Sequence, residues 1–201
     1  FKLPPFIMTL AMMTAARGLA FFYTGAIPIA GIGNLRYLGQ GSVGKIPIPI
    51  IIMLIVFAVT WVILNRMKFG RYIYAIGGNE EAAVASGVKV KRVKILAFLV
   101  NGMLVGLAGV ILMARINSGQ PAAGVLYELD AITCTVLGGT SLMGGVGTVQ
   151  GTLAGAMIIG ILNNILNLTN VSPYYQQMFK GIIIVVAVIL DMKTKAMKTG
   201  D

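Results

Sequence analysis

The chain has no histidine, one cysteine and six acidic side chains among 201 residues. Without histidine there is no Ser-His-Asp or Cys-His catalytic unit and no histidine metal site. The lone Cys134 excludes a disulfide within the chain and any thiolate cluster, so no metal site is expected. Six acids leave little material for acid–base chemistry, which argues against a membrane enzyme. Charge of either sign is scarce, at 11% against about 25% in an ordinary soluble domain. What fills the space is apolar: 57% of residues, with a mean hydropathy of +0.88. A single soluble globule of 21.2 kDa with this composition would have little polar surface left to face water. The composition is that of a membrane protein.

A membrane helix takes roughly 20 mostly apolar residues. Windows close to that length are Leu3–Tyr23, Pro47–Leu64, Ile95–Ala114, Thr148–Leu168 and Phe179–Leu190, with a shorter one at Leu129–Met143. No charged segment and small-residue cleavage site frame the first window, so it reads as a span and not as a signal peptide. The start at Phe1 leads us to expect that further N-terminal residues precede this sequence. The net charge of +10 is an orientation signal once its placement is seen. Arg66, Lys68, Arg71, Lys89, Lys91, Arg92 and Lys94 cluster between the second and third windows, and Lys193, Lys195 and Lys198 follow the last. Both groups, with Lys2, should face the cytoplasm, and Arg36, Lys45 and Arg115 the opposite side. An even number of crossings must join the two basic regions. We therefore expect 129–143 to cross, which gives an all-α polytopic protein of about six transmembrane helices with a cytoplasmic C-terminus. No nucleic-acid partner is expected.

Several glycine patterns need a reading. Gly102 with Gly106 and Gly151 with Gly155 have the GxxxG spacing that lets membrane helices approach closely. Gly39-Gln40-Gly41-Ser42-Val43-Gly44-Lys45 matches GxGxxG and the first part of a P-loop, but both need a strand before and a helix after. Ile46 also stands where a P-loop carries Ser or Thr, so we expect a flexible external connection. The glycine-rich stretch Gly138–Gly151 is expected to be a tight connection between packed spans.

The polar segment Asn65–Lys94 is the most informative. Asn79 suits a helix N-cap, Glu80 and Glu81 fall in the first turn where the dipole favours negative charge, and Gly87 suits the C′ position. A helix of about seven residues is too short to stand alone and must dock, with Val84 as its apolar contact. Residues alone leave two readings: a capped surface helix, or an element that relays motion to a soluble partner.

Glu81-Ala82-Ala83-x-x-x-Gly87 resembles the EAA signature of the membrane subunits of ABC importers, whose short helix docks on the ATPase. The apolar-Pro element that commonly follows is absent. Phe69-Gly70-Arg71-Tyr72-Ile73-Tyr74-Ala75-Ile76-Gly77-Gly78-Asn79 resembles the ribose/galactose-type monosaccharide permeases. So do Tyr127-Glu128-Leu129-Asp130-Ala131-Ile132, Val136-Leu137-Gly138-Gly139-Thr140-Ser141-Leu142, Leu162-Asn163-Asn164 with Asn167-Leu168, and Phe6-Ile7-Met8-Thr9-Leu10 with Arg17-Gly18. The resemblance covers nearly the whole chain in order and spacing. It implies one transmembrane permease domain over 1–201, the C-terminal two-thirds of a subunit of about ten spans, with a cytoplasmic coupling loop at 66–94. It implies Asn79, Glu80, Glu81, Ala82, Ala83, Ser86 and Gly87 as the ATPase-coupling residues. It also implies ATPase subunits, a second permease copy (a homodimer) and an extracytoplasmic sugar-binding protein in a prokaryotic plasma membrane. ATP and Mg would sit on the ATPase partner, and no cofactor on this chain.

Polar groups inside spans are costly and face the protein interior or a wet path. Asn163, Asn164 and Asn167, with Thr133, either line a sugar pathway or cross-link helices. Glu128 and Asp130 precede the short window, either as helix-start acids or as contacts for the binding protein or Arg115. Lys180 reads as an interfacial anchor. Related permeases for branched-chain amino acids or nucleosides remain alternatives. An ion-driven carrier is a further one, against which stands the lack of any central acid in a window.

Overall fold

The computed structural model describes residues 5–172, 174–183, 185 and 189. The chain runs α1 (Pro5–Thr24), β1 (Ile29–Ala30), α2 (Arg36–Gln40), β2 (Ser42–Val43), β3 (Ile46–Pro47), α3 (Ile48–Arg66), α4 (Lys68–Gly78), α5 (Glu80–Ala85), α6 (Val90–Ile116), β4 (Ser118–Gly119), α7 (Tyr127–Leu137) and α8 (Val149–Leu168). Residues 174–183 are helical as well. Among the described residues, α1, α3, α6 and α8 are long and apolar enough to cross a bilayer. α3 is crowded with Ile and Val, weak helix formers in water. In lipid its backbone groups must bond within the segment, and the run becomes a helix. Pro49 sits in its first turn, where the missing N–H is one of the unpaired donors in any case. The fold is that of an all-α polytopic membrane protein.

Two compact units divide the chain: 1–53 with 102–125, and 54–101 with 126–201, the division falling inside α3 and α6. In the first unit, β1 pairs antiparallel with β4, Ile29 opposite Gly119 and Ala30 opposite Ser118. The helix α2 is pinned to the end of α6. Gln40 Nε2 donates to the Arg115 carbonyl at 2.9 Å, and a Cβ at Gly39 would collide with the Ala114–Arg115 backbone. The Gly39–Lys45 stretch is a helix end followed by a hairpin, with β2 and β3 paired and Gly44 at φ +63° in the turn. That corrects the flexible connection expected there. It also lacks the strand–loop–helix order a phosphate loop needs.

In the second unit α7 packs along α8, with Val136 and Ile159 buried. The seam is glycine: a Cβ at Gly155 would strike the Cys134 carbonyl, and one at Gly138 the Gly151 carbonyl. The Gly151/Gly155 pattern is thus a packing motif. The Gly102/Gly106 pattern is not one among the described residues, where nothing lies within 4 Å of either added Cβ.

The helix expected over 129–143 runs instead from Tyr127 to Leu137. Eleven residues rise only about 16 Å, half the hydrocarbon thickness of about 30 Å. The reason is local. Gly139 takes φ +83°, its N–H bonds the Val136 carbonyl at 2.9 Å, and the Thr140 N–H reaches the Thr135 carbonyl at 3.0 Å. This is a Schellman stop. No continuous helix crosses here. The last window, Phe179–Leu190, lies only partly within the described residues: 179–183 are helical and most of the remainder is not described, nor are the Lys193, Lys195 and Lys198 tail and Lys2. Four complete spans, not six, are therefore seen among the described residues.

Candidate functional site

The polar segment between α3 and α6 holds two helices. The longer, α4, was not foreseen in the sequence. Its residues Gly70, Ile73, Tyr74 and Gly77 recur at helical spacing on one face, where Gly70 is buried and the others are half-buried. A Cβ at Gly70 would strike the Leu64 carbonyl, so α4 turns back close against the end of α3. Arg66 lies over the Trp61 ring, 5.7 Å from its centroid, at that corner.

The shorter helix, α5, occupies the expected place with both caps as read. Asn79 Oδ1 accepts from the Ala82 N–H at 3.0 Å. Gly87 takes φ +80°, its N–H bonds the Val84 carbonyl at 2.9 Å, and the Val88 N–H bonds the Ala83 carbonyl at 3.1 Å. This is a second Schellman stop. Ser86 Oγ donates back to the Ala82 carbonyl at 2.9 Å. Glu80 forms an ion pair with Lys94 of α6 at 2.6 Å, and Glu81 stands exposed. The docking contact differs from expectation. Ala83 is the buried residue at 4% exposure, while Val84 points outward at 57%. This arrangement leaves Glu81 and Val84, three apart, as neighbours on the open face.

The polar residues of α7 and α8 fall into separate environments. Thr133 is 1% exposed and donates to the Leu129 carbonyl at 2.6 Å, so its hydroxyl serves its own helix. Asn163 is half-buried, and its Oδ1 has no hydrogen-bond partner among the described residues. Asn164 is exposed. Asn167 Oδ1 accepts from Gln176 Nε2 at 3.0 Å, which ties the helical residues 174–183 to α8. Glu128 is half-buried. Asp130 pairs with Lys180 at 2.8 Å, both side chains about a quarter exposed (24% and 22%). Lys180 is thus the partner of an acid and not simply an anchor, and Asp130 does not need Arg115. Lys180 and Gln176 were missed as site residues because their partners lie 50 and 9 positions away. The one available signal was that Lys180 and Asp130 are charges set beside apolar windows.

A cavity of about 370 Å³ lies in this second unit. Thr60 and Leu64 of α3, Tyr74 of α4, Thr135 of α7 and Thr152 of α8 border it.

Apolar helices long enough to span, with a capped helix on the basic connection between two of them, define a polytopic all-α membrane protein. The chain belongs to the family described as the branched-chain amino acid transport system / permease component, which matches residues 1–188. It is 52% identical over 198 residues to the ribose import permease protein RbsC of Bacillus subtilis, covering 97% of this chain and 62% of that protein. It is 47% identical over 197 residues to the RbsC of Escherichia coli K12, covering 96% and 61%. It is 41% identical over 201 residues to the L-arabinose transport system permease protein AraH of the same strain, covering 98% and 61%. The chain therefore spans about three-fifths of the length of these relatives. No solved structure matches it.

Proposed function

We propose that this chain is the larger part of the membrane permease subunit of a binding-protein-dependent ABC importer. Its cargo is a monosaccharide, ribose- or galactose-like, and its place is the plasma membrane of a prokaryote; a cytoplasmic C-terminus requires that α7 and the turn after it together carry the chain across. The relatives named for ribose and L-arabinose support the substrate class. The observation that carries the mechanism is α5, capped at both ends, seated through Ala83 and presenting Glu81 and Val84 outward. Such a surface suits a groove on a soluble partner with an apolar floor and a basic rim. That partner is the ATPase, which holds ATP and Mg, while this chain binds no cofactor and supplies the path.

The path needs no ionisable chemistry. A sugar is a neutral array of hydroxyls, and Asn163, whose buried Oδ1 awaits a donor, is the candidate contact within α8. Asn164 and Asn167 extend that line, while Thr133 is committed to its own helix. Glu128, with Asp130 held by Lys180, stands at the end offered to the extracytoplasmic sugar-binding protein. A second copy of the subunit completes the path.

The deciding experiment co-purifies the full-length subunit with its ATPase and binding protein, then screens ligands of the latter by calorimetry. Ribose or another monosaccharide is the expected ligand. A binding protein that takes only leucine, isoleucine or valine, or only nucleosides, would overturn the substrate. Uptake by the permease alone, without any ATPase, would overturn the class.

A further inference from the structure

If α5 receives the stroke of an ATPase, something must carry it to the helices of the path. The structure offers one continuous route within the second unit. A single residue, Asn79, joins α4 to α5: its N–H bonds the Ala75 carbonyl at 3.0 Å, ending α4, and its side chain caps α5. The far face of α4 rests on the turn between α7 and α8. Tyr74 donates its hydroxyl to the Gly147 carbonyl at 2.8 Å. Gly77 meets the turn backbone to backbone, where an added Cβ would lie 2.5 Å from the Gly145 N. A Cβ on Gly144 would lie 2.7 Å from the Gly77 carbonyl oxygen.

The turn is itself braced. The Ser141 N–H bonds the Val146 carbonyl at 3.0 Å and the Gly144 N–H the Ser141 carbonyl at 3.1 Å. Gly144 and Gly145 hold φ +89° and +76°, a region closed to most side chains. The turn ends on fixed points: the Schellman stop of α7 at Gly139 and the N-cap of α8, where Thr148 Oγ1 accepts from the Gly151 N–H at 3.0 Å. The cavity of about 370 Å³ is bordered by α4 and this turn together.

We propose that α4 is the lever that carries the movement of α5 to α7 and α8, with Tyr74 and Gly77 as its points of purchase on the 141–147 turn. This rests on the importer reading. In this proposal Tyr74 and Gly77 are positioning residues, acting through the turn they touch. Gly78 is the internal control: it follows Gly77 in the same helix, and an added Cβ there meets nothing within 4 Å.

The test places the full-length subunit, its ATPase and its binding protein in proteoliposomes. Tyr74→Phe, Gly77→Ala and Gly78→Ala are compared for co-purification of the ATPase, ATP hydrolysis and uptake. Gly77→Ala is expected to keep hydrolysis while losing at least tenfold in uptake, so that ATP used per sugar rises. Tyr74→Phe, which removes one oxygen, is expected to lose severalfold in the same ratio, and Gly78→Ala to stay within twofold. Should Gly77→Ala fail to assemble, Tyr74→Phe carries the test. Unchanged ATP per sugar in Tyr74→Phe and Gly77→Ala would overturn the lever, as would equal damage from Gly78→Ala.

A second readout separates the lever from the cargo. Spin labels at exposed positions 62 on α3 and 142 on the turn should change separation when nucleotide binds, and Gly77→Ala should abolish the change. A wild-type complex that shows the change and imports no sugar refutes the substrate alone. A wild-type complex that shows no change refutes the lever.

Discussion

The α7–α8 seam makes one substitution have opposite consequences at two points of one helix. Gly155 and Gly160 both lie in α8. Replacing an interior helical glycine by alanine gains up to about 1 kcal/mol of helix propensity. At Gly160 the added Cβ meets nothing within 4 Å, so Gly160→Ala should be neutral or stabilising by that amount. At Gly155, buried in the seam, the Cβ strikes the Cys134 carbonyl and lies 3.0 Å from its carbon and 3.1 Å from the Gly138 N. All of these are backbone atoms, so no rotamer change can relieve the contact and the helices must part. Overpacking of this kind costs about 1–3 kcal/mol, and the upper end applies where backbone meets backbone. Gly155→Ala should therefore be destabilising by about 1–2 kcal/mol net of the propensity gain. Thermal denaturation of the purified full-length subunit, followed by size-exclusion chromatography after heating, reads the sign. Maleimide labelling of Cys134 on the facing helix reads the seam itself and should quicken in Gly155→Ala alone. Equal shifts of one sign in both variants, with labelling unchanged, would refute the claim that the glycine seam is close-packed.

Three further outcomes follow from contacts already described. Glu81→Lys reverses the charge of the open α5 face and Gly87→Pro cannot adopt φ +80°; both should abolish uptake in reconstituted liposomes while leaving membrane insertion, read by carbonate extraction, intact. Asp130→Asn and Lys180→Met should each cost about 1–3 kcal/mol, between the values for exposed and buried pairs, and the double variant should cost less than their sum in a thermal-stability cycle. Thr148→Ala removes the N-cap of α8 and should cost about 1 kcal/mol in the same assay, with Thr148→Ser restoring most of it.

Some of this was legible in the sequence because it rests on local rules. The caps of α5 were readable because Asn79 and Gly87 act within a turn of their own position, and the spans because length and apolarity suffice. What was not legible depends on partners far along the chain. α4 hid inside a polar segment because its buried face is made of two glycines, an isoleucine and a tyrosine, and glycine carries no hydrophobic signal. Val84 looked like the docking residue on hydrophobicity, yet Ala83 is the one buried and Val84 is exposed. The 129–143 window is mostly apolar in its helical part, Asp130, Thr133 and Thr135 apart. Its true end was set by Gly138-Gly139, a helix stop that a hydropathy window does not see. For the candidate path, the amides were visible as polar residues in an apolar run, but the Asp130–Lys180 pair needed the third dimension.

If the proposed lever holds, glycine explains how a chain so poor in ionisable groups could transmit motion. A contact between long side chains absorbs a displacement of an ångström by a rotamer change, and the movement dies there. A contact between backbones has no such slack, because shifting it means shifting the element. At Gly77 against Gly144 and Gly145, and again at Gly155 against Cys134, the chain has removed the side chains where elements meet. Among the described residues nothing lies within 4 Å of a Cβ added at Gly102, Gly106 or Gly109 on α6, so the same device is not seen at that face. A displacement of α5 would pass through two backbone contacts before reaching α8. The side-chain link between α4 and the turn, Tyr74 to Gly147, is a rigid ring with a hydrogen bond at its tip. The scarcity of histidine and acid is compatible with the proposed lever, which needs elements to move and no group to titrate.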